Sequence, residues 1–426
     1  MQYGVLRVSL NAVTKIPLDQ YTGFKLFSSI KEGLPYGYVD ILDRDSKILA
    51  EFENLQIGAA IDIEFVNVEN EEDIIELPTY YILQIEDDCL LDVGQYAGTI
   101  RIWFGHPWFL FKDVKNHAYK ATNSAELIKK ILKNGDRGKV FPAIDNNFDK
   151  TDDAGVPRYK ICETDWDFIQ NKILPYTASG QLPVHFFCND KQEFFLKSFQ
   201  NLYKENSKFI FIPPQNKLGD EKVLEDITAI CDDNNIKKGT NLFSIQEASI
   251  QVGSFASIPE FAPSFYFENL INSTHISGGK VPINQLKARM GPNFANIMPL
   301  DANYMLNVKG TSTKIIHNRQ VLDSLCFLME TGKHIDEMFT VTLTTPFILG
   351  VASIGSTAEV YLPKMKIDNR LKKHWINGKW LLLKQEHFSD EDDPKKLLTK
   401  STIIRPTFVG KDTDTTLSMP VFLYET

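Results

Sequence analysis

YKICETDWDFIQNKILPYTASGQLPVHFFCNDKQEFFLKSF, residues Tyr159–Phe199, sets how the rest of the chain is read. Thr164 stands where a helix N-cap is expected. Asp165 and Asp167 fall in the first turn, where carboxylates meet the positive end of the helix dipole. Trp166, Ile169 and Ile173 repeat at i, i+3 and i+7, so a short helix buries one apolar stripe, with Phe168 inside the same turn. Pro175 and the pair Ser179-Gly180 end it. Val184 to Cys188 then reads as a strand, Asn189-Asp190-Lys191 as a turn, and Glu193 to Leu196 as a returning strand. The unit is a capped helix, a break and a β-hairpin. Asp165, Trp166 and Asp167 invite a catalytic reading, but a helix start with a buried aromatic accounts for their spacing.

The 426 residues suggest roughly two to four domains. A hydrophobic share of 43% with 12% aromatics is enough to build real cores. The formal charge of -9 argues against a surface that binds nucleic acid or anionic membrane, since both need concentrated Lys and Arg. No run reaches the ~18 apolar residues of a membrane span. The N-terminus MQYGVLRVSLNAV lacks the basic and apolar regions of a secretory signal. Cys89, Cys162, Cys188, Cys231 and Cys326 are odd in number and scattered, which predicts free thiols and no metal framework.

Residues 1 to about 110 read as all-β. Tyr3–Leu10, Gly37–Leu42, Ala59–Val66, Tyr80–Ile85 and Gly98–Phe104 are strand-like, and their spacing predicts a small antiparallel barrel or sandwich. The acidic run Glu69 to Asp73 reads as a solvated loop. His106, between Gly105 and Pro107-Trp108, reads as a loop histidine packed on an aromatic, because no nucleophile or carboxylate motif lies near it. Asn123 to Lys133 predicts a helix with capping-box spacing at Asn123 and Glu126. Residues 134–157 read as a polar loop, Phe209 to Ile212 as a strand, and Asp220 to Cys231 as a second helix. Residues 239–280 read as extended segments with long loops. There Ile276 to Lys280, ISGGK, fails the phosphate-loop spacing. A helix start is read within 283–318, ending at Gly291-Pro292, and a clearer helix over Gln320–Glu330. Phe339–Leu343, Ala358–Lys366 and Lys379–Phe388 return to strand. Asn377-Gly378 between Trp375 and Trp380 gives a two-residue hairpin signal. Within 395–426, Thr402–Ile404 and Met419–Tyr424 are β-like runs expected to pack on a neighbour or partner.

ETDWDFI, followed by a break and the VHFFC–turn–FFL hairpin, resembles the central baseplate hubs of contractile-tailed phages and the matching N-terminal part of type VI secretion spike proteins. Those proteins carry an acidic-aromatic D-W/Y-x-F helix start before a similar hairpin. The helix at 123–133 falls in the family's order. A second anchor is AEVYLPKMKID…GKWLLLKQEHFSD, where Gly378, Trp380, Leu382 and His387 match the family's form G-x-W-x-I/V/L-x-x-x-x-H.

The resemblance implies a β-rich, α+β multidomain chain. Two small antiparallel β-barrel domains of the tube type would flank a mixed α+β middle region. The boundaries expected are 1–120 for the first barrel, 121–240 for the middle domain, 241–335 for a mixed insertion, 336–390 for second-barrel strands and 391–426 for a C-terminal arm. Thr164, Asp165, Trp166, Asp167, Phe168, Gly378, Trp380 and His387 are expected to be structural residues, with no catalytic, cofactor or metal site. By the same resemblance the chain would form a homotrimer in a virion tail baseplate, made in the host cytoplasm. Its partners would be the tail tube protein, the central spike protein and other baseplate proteins. DNA would pass through the lumen without specific binding, and no membrane is involved. Three chains would treble the negative charge, which suits either a lumen that does not trap DNA or plain solubility. The chain lacks the Gly-rich β-helix repeat of a spike protein, which favours a hub. A tail-tip protein of a non-contractile phage and a hydrolase are the alternatives. His374, His387 and Asp390 could be drawn together as ligands, but strand ends carry such residues routinely.

Overall fold

Alternation decides the N-terminal sheet. Ile61, Ile63 and Phe65 are buried while their neighbours in the strand are half-exposed, and Ile100, Ile102 and Phe104 repeat the pattern. A computed structural model describes residues 3–10, 14–16, 20–43, 56–67, 70–87, 98–111, 114–134, 141–142, 144–151, 156–179, 182–214, 221–237, 241–252, 339–362, 365–367, 370–372, 376–390, 392–393 and 396–405. The helices read within 283–318 and over Gln320–Glu330, and the segments holding His374, Trp375, Cys89, Cys326 and Met419–Tyr424, lie outside the described residues.

The first β unit comprises β1 (Tyr3–Leu10), β2 (Thr14–Ile16), β3 (Tyr21–Ser29), β4 (Tyr36–Asp43), β5 (Ala60–Asn67), β6 (Asn70–Glu76), β7 (Tyr80–Asp87) and β8 (Gly98–Gly105). A middle unit follows: β9 (His117–Thr122), α1 (Ser124–Asn134), β10 (Val156–Lys160), α2 (Asp165–Phe168), β11 (Ala178–Ser179), β12 (Leu182–Cys188), β13 (Phe194–Ser198) and α3 (Phe199–Lys204). Next come β14 (Ile210–Ile212), α4 (Glu221–Asn234), β15 (Leu242–Ser244), β16 (Glu247–Val252), β17 (Phe339–Pro346), β18 (Thr357–Val360), β19 (Met365–Ile367), β20 (Arg370–Lys372), β21 (Gly378–Ser389) and β22 (Leu397–Ile404).

The chain is β-rich and α+β, as its sequence predicts. Its two outer β units are not separate sheets, however. One 15-stranded sheet runs β2-β1-β5-β7-β8-β4-β3 and crosses to β21, which carries β22, β17 and β16 along one edge and β18 on the other. The pairings are antiparallel except where β14 lies parallel to β18 and β15. Among the described residues no pairing closes either unit into a ring. β21 is the joint. Its first residues pair with β18, and Lys384 to Phe388 pair with Lys25 to Ser29 of β3. A bulge between Leu382 and Lys384 adjusts the strand at the crossing. Trp380 and Leu382 enter one core with Phe209, Phe211 and Ile403, while Leu381 and Leu383 enter another with Phe187 and Leu202.

Four readings need correction. Thr402–Ile404 is not part of an arm set against a partner: it ends β22, which pairs with β17 and β21 of the same chain. The acidic run is not a loop from Asn70 onward: Asn70–Glu76 is β6, which among the described residues pairs only with β5, and an edge strand tolerates charges along its open side. The polar loop 134–157 ends in β10, which pairs with β9. Asn377-Gly378 does not link a tight hairpin, since β21 pairs with β18 across a connection that contains the β19–β20 hairpin. Asn377 instead clamps that connection, its Oδ1 accepting from the Leu362 N–H and its Nδ2 donating to the Leu362 carbonyl, each at 2.7 Å.

Candidate functional site

The ETDWDFI turn is built as its residue types require. The Thr164 hydroxyl accepts the Asp167 N–H at 3.1 Å and donates to Asp167 Oδ2 at 2.6 Å. Asp165 receives a 2.8 Å bond from the buried Lys160 ammonium at the end of β10, tying the helix start to the neighbouring ribbon. Phe168 is fully buried and stacks on Tyr119 at 5.4 Å. A π turn over Ile169–Ile173 and a 3-10 turn over Leu174–Tyr176 follow, and Ile169, Ile173 and Leu174 join the same core.

Trp166 is half-buried. It meets Trp108 edge-on at 5.2 Å and Phe186 at 5.6 Å, and it packs over Gly33 in the β3–β4 turn. Gly33 has φ +82°, and a Cβ there would stand 2.6 Å from the indole. Only glycine satisfies both demands. Gly33→Ala is therefore expected to cost about 2–3 kcal/mol in urea unfolding. In a Trp166→Ala background the same change should cost measurably less, because the collision is gone and the backbone strain remains. Equal costs in the two backgrounds would refute the contact.

The hairpin that follows is buried on both faces. Phe186 and Cys188 face the middle core and Phe187 the next one. Asn189 Oδ1 accepts the N–H groups of Lys191 and Glu193 at 3.0 and 2.9 Å, which shapes the tip. The tip reaches the first β unit, where Gln192 Nε2 donates to the Thr79 carbonyl at 2.9 Å and the Tyr80 hydroxyl donates to the Asp190 carbonyl at 3.4 Å. The Cys188 N–H bonds the Gly33 carbonyl at 2.7 Å. The Asp190 side chain is buried against Ser353 and Gly350 of the loop after β17; burial raises its pKa, and those contacts oppose the rise. One hairpin tip thus touches both outer β units.

The second motif lies on β21. Gly378 starts the strand at φ +117°, with Arg405 Nη2 3.2 Å from where a Cβ would stand. Trp380 is fully buried, and its Nε1 donates to the Ile376 carbonyl at 2.7 Å. The Arg405 guanidinium covers the indole at 4.3 Å and donates to the carbonyls of Ile376 and Asn377. His387 is fully buried, with Nδ1 2.9 Å from Thr399 Oγ1 and Phe347 edge-on at 5.4 Å. Burial lowers its pKa to about 3. His106 sits as its sequence context predicts, between Phe141 and Phe194 at 5.3 Å each, with Nδ1 accepting the Trp108 N–H. Its pKa is likewise lowered by burial, to about 3.

The two motifs occupy different places. Within Thr164 to Phe168, Trp166 meets the β3–β4 turn while its neighbours hold the helix start inside the middle unit; Gly378, Trp380 and His387 line the strand joining the outer units. Sequence reasoning missed Gly33, Asp190 and Arg405, whose roles arise only from contacts between distant segments. Among the described residues no group of three or more His, Cys, Asp or Glu is placed to hold a metal, and no helix is long and apolar enough to cross a membrane. The arrangement is one of joints: capped turns, aromatic contacts and a shared strand.

No protein-family model and no curated protein matches the sequence. Solved structures do match the fold. The 43 kDa tail protein of prophage MuSo2 from Shewanella oneidensis aligns over 96% of this chain and 100% of its own, with 10% identity and a TM-score of 0.51. A tail protein from Neisseria meningitidis MC58 aligns over 96% and 99%, with 10% identity and a TM-score of 0.47. An E. coli type VI secretion component, described as structurally similar to T4 bacteriophage tail proteins, aligns over 90% and 73%, with 8% identity and a TM-score of 0.46. The chain has the fold of the prophage tail protein along nearly its whole length.

Proposed function

We propose that the chain is the structural hub of a phage tail baseplate, not an enzyme. In this reading three copies form a ring that joins the hexameric tail tube to the trimeric central spike and leaves a channel for DNA. The observation that carries it is the weld at β21 and β3: each chain holds two β units in one continuous sheet. Three such chains place six β units around one axis, so the same ring can present sixfold repetition to a tube and threefold repetition to a spike. The whole-length likeness to a prophage tail protein supports the same role, by analogy of fold. Partners are then the tube, the spike and neighbouring baseplate proteins, with DNA passing unbound and no membrane involved.

The test is mass measurement and negative-stain imaging of the chain mixed with the tube and spike proteins of its own phage. A particle containing three copies with a central channel is expected. A chain that stays monomeric in the presence of both partners would overturn the proposal.

A further inference from the structure

At the weld, one inward-facing row of the shared sheet is polar. Gln385 of β21 lies directly opposite Ser28 of β3 on one side and Ser401 of β22 on the other. His387, the next residue on that face, lies opposite Leu26 and Thr399. Ser28, Gln385, His387, Thr399 and Ser401 are all at most 1% exposed. The row divides two apolar cores: Leu26, Phe347 and Leu397 belong to one, and Leu343, Leu382 and Ile403 to the other.

Thr399 is satisfied, accepting the Ile348 N–H at 3.1 Å and bonding His387 Nδ1. The others are not. Among the described residues, Ser28 Oγ, both polar atoms of the Gln385 carboxamide, His387 Nε2 and Ser401 Oγ make no hydrogen bond. The orphan at His387 holds for either neutral tautomer, because Nδ1 is engaged by Thr399 and Nε2 is left as a bare donor or a bare acceptor. An unmet buried polar group is costly, and here five such atoms sit on four neighbouring side chains of one face. Directly paired residues stand about 4.5–5.5 Å apart at Cβ, so the unmet groups are immediate neighbours on one face. The carboxamide supplies donors and an acceptor, and each hydroxyl supplies both, so the row suits a neutral partner that also donates and accepts.

We infer that this row is an internal solvent site. Water molecules bound by Ser28, Gln385, Ser401 and His387 Nε2 join the two β units where side-chain packing does not. Ser389, next on the same face, carries a further buried Oγ with no hydrogen bond among the described residues and extends the row.

Two measurements test this on the full chain. With selective 15N-histidine labelling, one ring of the wild-type protein should show a neutral tautomer and magnetisation transfer from long-lived water. That signal should vanish in His387→Leu. Gln385→Met removes the hydrogen-bonding groups at nearly constant shape. If water is bound, the change strands it against the two serines and lowers Tm; if the carboxamide is merely orphaned, the change raises Tm. A raised Tm, the absence of water transfer to His387, or a high-resolution structure in which these groups bond directly to other residues of the chain would each overturn the site.

Discussion

Trp380→Ala is expected to cost about 3–5 kcal/mol of folding stability, as full truncation of a buried tryptophan does. The indole is fully buried among Phe209, Phe211, Val341 and Ile403, so its loss leaves a cavity in the core of the second β unit. Two further losses follow. The Ile376 carbonyl loses its bond from Nε1, and Arg405 loses the ring face it covers. Arg405 is itself deep enough for burial to lower its pKa, so removing the ring leaves a desolvated cation with less compensation. Trp380→Phe should recover most of the packing and lose only the hydrogen bond, at about 1 kcal/mol. Urea unfolding of the three proteins checks this. A loss below about 1 kcal/mol for the alanine variant would show that Trp380 is not the anchor of its core. Because Trp380 lies on the strand that pairs with β3, the alanine variant should also reduce the protection of β3 amides in hydrogen exchange.

Sequence made the local elements legible and left the joints hidden. Thr164, Asp165 and Asp167 announced a helix start because a cap and two carboxylates solve a purely local problem. The period-two runs at β5 and β8 were readable because one face of each is solvated. β3 was missed. Its inward positions are Phe24, Leu26 and Ser28, while Lys25 and the half-exposed Phe27 lie between them, so hydrophobicity does not alternate cleanly. Ser28 is polar because it faces Gln385, a partner from the far end of the chain, and no local window contains that pair. β6 was read as a loop for a related reason: an edge strand open on one side needs few apolar residues. The i, i+3, i+7 stripe was right about Ile169 and Ile173, while Trp166 is only half-covered because it reaches out to Gly33. The Asn377-Gly378 signal does not mark a tight hairpin, since Asn377 bonds Leu362 and clamps the connection between β18 and β21.

Acidification should unfold the chain through two of its buried histidines, His106 and His387. His106 and His387 both have folded pKa values of about 3, well below the ordinary value of 6.5, because burial disfavours the imidazolium. A depressed folded pKa gives stability that is complete above the unfolded value and is lost as pH falls toward the folded one. Each histidine therefore removes stability between pH 6.5 and about 3, at about 1.4 kcal/mol per pH unit, or on the order of 4–5 kcal/mol across the window. Together that is comparable to the whole stability of many domains. Asp190 acts in the opposite sense. Its folded pKa is raised, so its contribution is complete below the ordinary carboxylate value and is lost as pH rises through the folded one. It softens the acid loss and weakens the hairpin tip at neutral pH. His387→Gln should flatten the fall in urea midpoint between pH 6.5 and 4 by about one proton's worth, and Asp190→Asn should raise the midpoint at pH 7 while steepening the acid side. His106→Asn should flatten the slope as His387→Gln does, although its neighbours are Phe141, Phe194 and the Trp108 amide rather than the polar row. A single-histidine variant whose midpoint falls as steeply as wild type would mean that this imidazole takes up its proton without unfolding the core around it.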